Sequence, residues 1–128
     1  MKFDVTIFPQ NLNVVGAIAK QVEAYGFNAL WTSETAHNPF LPLTLAAAET
    51  ERIELGTAIA VAFPRSPMVT AQIAWDLAAQ SGGRFILGLG TQVKPHIEKR
   101  FSTTWAAPAP RLREYIESLR AIWNSFSN

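Results

Sequence analysis

The polar segment from Thr32 to Asn38 is the part of this sequence best suited to proton-transfer chemistry. In a chain that is 48% apolar, it brings together several hydroxyl groups, the carboxylate of Glu34 and the imidazole of His37. Carboxylates and imidazoles are common general acids and bases, so Glu34 and His37 are candidate catalytic residues. The alternative interpretation is structural. In that case Ser33 or Thr35 caps a following helix, Glu34 pairs with a surface base, and His37 is a hydrogen-bonded loop residue.

A second candidate segment is the sequence Gly88-Leu89-Gly90-Thr91-Gln92. Closely spaced glycines let the backbone approach a ligand, to which Thr91, Gln92 and Lys94 are possible hydrogen-bond donors. The dinucleotide fingerprint is incomplete, because position 93 is Val and no helix is predicted to begin there, and this disfavours a classical NAD site. Close packing of a buried strand explains the glycines equally well.

A third segment, from Ala58 to Pro64, is apolar over a length that exceeds the five to six residues of a typical strand. One explanation is a β-bulge at a barrel rim, where an apolar wall receives the flat face of a ring-shaped cofactor. The other is a long buried strand that leads into the helix cap at Ser66-Pro67. The sequence leaves both explanations open.

The elements that must position these segments are predicted from apolar runs and helical spacing. Strands are predicted over four short runs rich in β-branched or aromatic residues: Phe3 to Phe8, Asn28 to Trp31, Ile53 to Ile59 and Arg84 to Leu89. A helix follows each strand: from about Val14 to the cap at Gly26, from about Leu41 to Thr50, from Ser66-Pro67 to the turn at Ser81, and from about Ala109 to Phe126.

This alternation predicts an α/β fold with parallel strands, because each crossover returns the next strand in the same direction. Two architectures fit it: an open doubly wound sheet, or about four units of a (β/α)8 barrel, which normally needs about 250 residues. We expect one domain over residues 1–128, with any missing half lying beyond Asn128 or never present. In both architectures, ligands bind beyond the carboxyl ends of the strands, where the three segments lie.

Composition narrows the classes of function. The chain has no cysteine and two histidines, which excludes disulfides and thiolate zinc sites, and we expect no metal site. No secretory signal or membrane-length apolar stretch is found, which indicates a soluble, cytoplasmic protein. Residues 77–128 carry seven bases and three acids, but the cluster of Lys94, Lys99 and Arg100 is too local for a nucleic-acid surface. A small anionic ligand fits better.

Four segments together resemble the N-terminal half of the luciferase-like monooxygenase superfamily. They are the segments 30–34 (LWTSE), 54–59 (ELGTAI), 64–67 (PRSP) and 81–91 (SGGRFILGLGT). Among its branches, the chain is most similar to the oxidoreductases that use the deazaflavin coenzyme F-420, and the resemblance covers essentially all 128 residues. Members of the superfamily are TIM barrels of about twice this length, so the resemblance favours the half barrel of four βα units.

The resemblance implies three contacts to the cofactor. The first is Glu34, at the position where members carry an acid that is often followed by histidine; here Thr35 follows instead, so the acid/base step of those members is not implied. The second is the bond from Ala58 to Ile59, which matches a cis peptide beneath the cofactor ring. The third is the backbone at Gly90, Thr91 and Gln92, near the cofactor tail. On electrostatic grounds alone, we expect the basic cluster of Lys94, Lys99 and Arg100 to lie close to that anionic tail.

The resemblance implies an oxidoreductase that transfers a hydride between coenzyme F-420 and a small organic substrate. Flavin mononucleotide (FMN) is the alternative cofactor, in a monooxygenase of the same superfamily. A second hypothesis is a non-catalytic product, either a truncated fragment or a half barrel that binds a partner copy. Because half a barrel exposes the apolar inner layer that includes Val5, Ile7, Ile59 and Leu87, we expect a homo-oligomer.

Overall fold

The computed structural model describes residues 1–127, in which the strands of one parallel sheet alternate with helices along the chain. The strands are β1 (Asp4–Ile7), β2 (Ala29–Thr32), β3 (Glu54–Thr57), β4 (Ala60–Val61), β5 (Phe85–Ile86) and β6 (Leu89–Gly90). The α-helices are α1 (Val15–Ala24), α2 (Leu41–Glu49), α3 (Pro67–Gln80) and α4 (Pro108–Phe126). A 3-10 helix at Leu12–Val14 and a π-helix at His96–Arg100 complete the described elements.

The principal sheet is parallel, with the strand order β1-β2-β3-β5. Its register aligns Asp4 with Ala29, Ala29 with Glu54, and Leu55 with Phe85. Each strand therefore lies beside the next strand of the predicted four, joined to it by a helical crossover. This order confirms the α/β class with parallel βα units, and it differs from a doubly wound sheet, in which the order reverses at a switch point.

The chain divides into two compact units. The first contains Met1–Ala60 and Asp76–Gly88, and the second contains Val61–Trp75 and the residues from Leu89 onward. In the first unit, Leu30 and Leu55 from the sheet, Leu43 from α2 and Val15 from α1 are buried. In the second unit, the buried apolar side chains include Val61, Ile97 and Leu119.

Glu23, near the end of α1, joins that helix to the turn before β3. Its carboxylate accepts hydrogen bonds from the backbone N–H groups of Glu51, Arg52 and Ile53, at 2.8 to 3.2 Å, and lies 3.8 Å from the Arg52 guanidinium. Burial by itself raises the pKa of Glu23, whereas the three N–H donors and the charge of Arg52 lower it. The lowering effects together exceed the effect of burial, so the pKa lies below its ordinary value.

Arg84 lies at the end of the turn that connects α3 to β5, and its side chain holds this turn against the end of α2 and the start of β3. Its guanidinium donates to the carbonyl oxygens of Ala47, Thr50, Ile53 and Ser81 and to the hydroxyl of Thr50. The carbonyls of Ala47 and Thr50 lie at the carboxyl end of α2, where helix carbonyls lack partners within the helix. Arg84 thus caps α2 and sets the start of β5.

In the second unit, α4 is attached through polar groups of its inner face. The Tyr115 hydroxyl donates to the carbonyl of Arg65 at 2.9 Å and is hydrogen-bonded to Thr70, while the indole N–H of Trp123 donates to the carbonyl of Ala71 at 3.1 Å. Burial raises the pKa of Tyr115; the hydrogen bond to Thr70 and the charge of Arg65 oppose the rise without cancelling it.

Helix α4 is nineteen residues long, but it carries several charged side chains. Within residues 1–127, no helix combines the length and apolar character needed to cross a membrane.

Candidate functional site

The segment after β2 is held in place by side-chain hydrogen bonds to its own backbone. Thr32, which is buried, donates through its hydroxyl to the carbonyl of Pro39 at 2.7 Å. The side chain of Asn38 accepts from the N–H groups of Phe40 and Leu41 and so caps the start of α2. The structural alternative had assigned this capping role to Ser33 or Thr35, and that assignment is wrong, because Asn38 is the residue whose carbonyl oxygen faces those N–H groups.

Ser33 and Glu34 are tied instead to the chain that follows β3. The Ser33 hydroxyl donates to the carbonyl of Ala58 at 2.6 Å, and the Glu34 N–H donates to the carbonyl of Ile59 at 3.0 Å. In the other direction, the Ala58 N–H donates to the carbonyl of Thr32 at 2.7 Å. These three bonds bring the acidic segment after β2 and the apolar segment after β3 together beyond the carboxyl end of the sheet.

The peptide bond between Ala58 and Ile59 is cis, as the resemblance implied. Strand β3 ends at Thr57 and a new strand begins at Ala60, so the hypothesis of one long straight strand is wrong. Ala58 is exposed and Ile59 half-buried, which leaves a small apolar step accessible beside Glu34. An apolar step next to a carboxylate and a hydroxyl suits one face of a flat ring that carries N–H donors, such as a flavin or deazaflavin.

Gly88 supports the same backbone from the side of β5. Its N–H donates to the Thr57 hydroxyl at 2.9 Å, and its carbonyl accepts from both that hydroxyl and the Ala60 N–H. A methyl group at Gly88 would collide with the carbonyl oxygen of Thr57. The packing explanation of the glycine pair therefore holds at Gly88, and the fully buried Thr57 is a positioning residue that sequence reasoning missed.

The segment Gly90, Thr91 and Gln92 belongs to the second unit. The carbonyl of Gly90 accepts from the Ala62 N–H at 3.0 Å, and the Thr91 hydroxyl donates to the carbonyl of Gln92 at 3.2 Å. Gln92 has a φ of 57°, in the left-handed region that residues other than glycine seldom adopt. All three residues are partly accessible.

His37 lies apart from the bonds that tie Ser33 and Glu34 to the segment after β3. Its Nε2 is 3.4 Å from the Gln10 side-chain oxygen. Both residues are exposed and line a small cavity of about 80 Å³, whose other walls are Pro9, Leu12, Asn38, Leu41 and Pro42.

The basic cluster predicted near a cofactor tail is exposed in the structure. Lys94 precedes the π-helix that contains Lys99 and Arg100, and the Arg100 guanidinium lies 5.1 Å from the centre of the Phe101 ring. Among residues 1–127, no three histidine, aspartate or glutamate side chains are grouped closely enough to hold a metal ion.

Comparison with curated proteins finds relatives of known and unknown activity. The chain is 55% identical over 123 residues to uncharacterized protein Rv1360 of Mycobacterium tuberculosis, covering 96% of the chain and 36% of that protein. It is 31% identical over 125 residues to 5,10-methylenetetrahydromethanopterin reductase of Archaeoglobus fulgidus, covering 95% of the chain and 37% of that enzyme. The chain thus spans about a third of the length of these relatives.

Solved structures share the fold. The coenzyme F420 dependent tetrahydromethanopterin reductase of Methanopyrus kandleri matches with a TM-score of 0.78 and 27% identity, over 91% of the chain and 38% of that structure. The oxygenating constituent of 3,6-diketocamphane monooxygenase from Pseudomonas putida, a complex with FMN, matches with a TM-score of 0.82 and 20% identity, over 96% and 39%. The four parallel βα units correspond to part of the TIM barrel of these neighbours.

A family model describes the chain as a whole. The model for luciferase-like monooxygenases matches residues 1–127, which include Ser33, Glu34, the cis bond after Ala58 and the glycine segment. The chain therefore belongs to the luciferase-like monooxygenase family.

Proposed function

We propose that residues 1–128 form the N-terminal half of a luciferase-like oxidoreductase domain that transfers a hydride between coenzyme F-420 and a small organic substrate. The observation that carries the proposal is the pair of bonds from Ser33 and Glu34 to the carbonyls of Ala58 and Ile59. They hold the backbone of Glu34 beside an accessible apolar step at the carboxyl end of a parallel sheet, where α/β proteins bind ligands. The similarity to F420-dependent and methanopterin reductases supports the choice of cofactor.

In this proposal the residues of the chain orient the cofactor, and the deazaflavin supplies the hydride chemistry when it is bound. Ala58 and Ile59 contact one face of the ring. The carboxylate of Glu34 accepts a hydrogen bond from a ring N–H, and the Ser33 hydroxyl fixes the backbone that the ring contacts. The family resemblance separately assigns backbone contacts with the cofactor to Gly90, Thr91 and Gln92.

Glu34 and His37 are the residues of this chain proposed to exchange protons with the substrate. Glu34 has the better support, because its backbone is anchored beside the proposed ring position. His37 is exposed and contacts Gln10, so its participation requires a substrate that reaches the small cavity that both residues line. The relatives leave the chemical identity of that substrate open.

FMN is the second candidate cofactor. It is supported by the fold similarity to a monooxygenase solved with FMN, whose TM-score is 0.82, compared with 0.78 for the F420-dependent reductase. An FMN-dependent monooxygenase would use the same apolar step and the same carboxylate. We further propose that the protein is cytoplasmic. We also propose a homo-oligomer, because the apolar side chains of β1, Val5 and Ile7, are only half-buried. A concentration-independent monomer in light scattering would contradict the homo-oligomer.

The test of the proposed site is a titration of the purified chain with coenzyme F-420 and with FMN, followed by fluorescence. We expect Glu34→Gln to weaken binding of the preferred cofactor about tenfold, the effect of losing one charge-assisted hydrogen bond. Glu54→Gln is the matched control, since Glu54 is an exposed glutamate at the amino end of β3, away from the ligand side of the sheet.

Equal binding by wild type and Glu34→Gln would contradict the assignment of Glu34. Saturable binding of neither cofactor would favour the alternative of a non-catalytic half barrel.

A further inference from the structure

The second unit contains a cavity that the proposed oxidoreductase site does not use. It has a volume of about 280 Å³ and opens beside the first turn of α3 and the first turns of α4. Ligand pockets of drug-sized molecules begin at about 300 Å³, so this cavity suits a metabolite of few heavy atoms. Its walls are formed by Phe63, Arg65, Ser66, Pro67, Arg111, Glu114, Tyr115 and Ser118.

Arg111 is held in a defined orientation at this cavity. Its guanidinium stacks over the Phe63 ring, 4.3 Å from the ring centre, and one terminal nitrogen donates to the carbonyl of Thr104 at 2.7 Å. Phe63 is buried, and its ring also makes an edge contact with Trp105, so the surface beneath the guanidinium is fixed. A guanidinium has five N–H donors in one plane, and the bond to Thr104 uses one of them.

The other polar groups of the cavity favour a negatively charged ligand. The wall contains two arginines, Arg65 and Arg111, and one glutamate, Glu114. The Arg65 guanidinium donates to the carbonyl of Val61 at 2.9 Å, so Arg111 is the residue on which recognition of an anion rests. The Ser66 hydroxyl oxygen accepts a hydrogen bond from the Val69 N–H at 3.2 Å, and the hydroxyl can in turn donate its proton to an oxygen of the ligand.

We propose that this cavity binds a small organic anion, with Arg111 as the principal contact to its phosphate or carboxylate group. The fixed plane of Arg111 matches the two oxygens of such a group, a geometry in which arginine binds more strongly than lysine. None of the residues that line this cavity is among those proposed for the redox site.

The test compares three compounds with the same carbon skeleton: glycerol 3-phosphate, glycerate and glycerol. Binding to the isotopically labelled chain is followed by NMR. We expect saturable binding of at least one anion and none of glycerol; the stronger of the two anions identifies the preferred group. Arg111→Gln should weaken anion binding at least about tenfold, and Arg111→Lys should only partly restore it.

Arg113→Gln is the matched control, because it removes the same charge from α4 two residues after Arg111. The side chain of Arg113 is 82% exposed and ion-paired with Glu117. Arg113→Gln should change the affinity less than about twofold. Ser118→Asp is an independent variant that places a carboxylate in the cavity wall and leaves Arg111 and Phe63 unchanged. It should abolish anion binding by charge repulsion, and it tests the proposal even if Arg111→Gln does not fold. Absence of saturable anion binding, equal binding of glycerol, or an equal loss in Arg113→Gln would overturn the proposal.

Discussion

Among single residues, Glu23 shows how one carboxylate can organise a turn. Three consecutive N–H groups, those of Glu51, Arg52 and Ile53, converge on it, and its side chain is only 13% exposed. A turn before a strand leaves such N–H groups without backbone partners, and Glu23 supplies the missing acceptor. In the sequence Glu23 is simply a charged residue near the end of an amphipathic helix, because the N–H groups it satisfies lie almost thirty residues away.

The lowered pKa of Glu23 predicts a specific acid sensitivity. The carboxylate stabilises the fold fully above its ordinary pKa of 4.5, and this stabilisation is lost as the pH falls through the lower pKa of the folded state. Glu23→Gln should therefore reduce the free energy of unfolding at neutral pH by on the order of 2 kcal/mol. The variant should also lose less of its free energy of unfolding than the wild type does as the pH is lowered. Urea unfolding between neutral and acid pH measures both effects.

Glu51→Gln is the control for this prediction, because it removes an exposed carboxylate and keeps the backbone N–H that Glu23 accepts from. A Glu23→Gln variant with wild-type stability and the wild-type acid profile would show that the three N–H groups are equally well satisfied by water.

The candidate site was also partly predictable at the level of residues. Glu34 and the bond between Ala58 and Ile59 were singled out from the sequence, and the structure brings their backbones together. Thr57 and Gly88 were not identified as partners, since their reciprocal bonds depend on the register between β3 and the segment after β5. Periodicity predicts which residues form a strand and which face each occupies, but a shift of two residues keeps every side chain on its face, so periodicity alone does not fix the register with a neighbouring strand.

At the level of elements, the helices were predicted more closely than the strands. The helix predicted from about Leu41 to Thr50 is observed at Leu41–Glu49, and the one from about Ala109 at Pro108–Phe126. Prolines and caps mark helix ends in the sequence. The strand predicted over Ile53 to Ile59 instead ends at Thr57, because apolar residues continue into a non-strand segment that packs against neighbouring backbone.

Arg84 connects three elements, and its replacement tests how much their junction depends on guanidinium geometry. Lysine keeps the charge but cannot reach the carbonyls of Ala47, Thr50 and Ile53 at once, since it has a single nitrogen. Arg84→Lys should therefore lower the free energy of unfolding by on the order of 2 kcal/mol, as expected for loss of charged hydrogen bonds. Chemical denaturation measures this change.

Arg52→Lys makes the same substitution at a side chain that is 73% exposed and should alter stability by less than about 0.5 kcal/mol. If Arg84→Lys and Arg52→Lys unfolded at the same denaturant concentration, the cap that Arg84 forms on α2 would contribute nothing measurable to the free energy of unfolding.

For the molecule as a whole, alkaline unfolding should depend on Tyr115. A buried phenol with a raised pKa stabilises the fold fully below the ordinary tyrosine pKa of 10.0, and this stabilisation is lost as the pH rises through the higher pKa of the folded state. Tyr115→Phe should cost about 1 kcal/mol at neutral pH, because the bonds to Arg65 and Thr70 are lost, and it should reduce the fall in stability above pH 10. Global unfolding monitored by circular dichroism at neutral and alkaline pH provides the measurement.

Tyr25→Phe is the matched control, since Tyr25 is 78% exposed. It should leave both the neutral stability and the alkaline profile close to wild type. An alkaline profile that Tyr25→Phe alters more than Tyr115→Phe does would contradict the role assigned to Tyr115.

The distribution of indole rings makes the two units spectroscopically separable. Of the four tryptophans, Trp31 lies in the first unit, where it donates to Asp4 at 3.1 Å, and its ring occupies the space that a side chain at Gly56 would need. The other three, at positions 75, 105 and 123, belong to the second unit. A chain with phenylalanine at those three positions would emit from Trp31 alone, two residues from Ser33, so its emission spectrum would follow ligand binding and local opening at the proposed redox site without a contribution from the anion cavity.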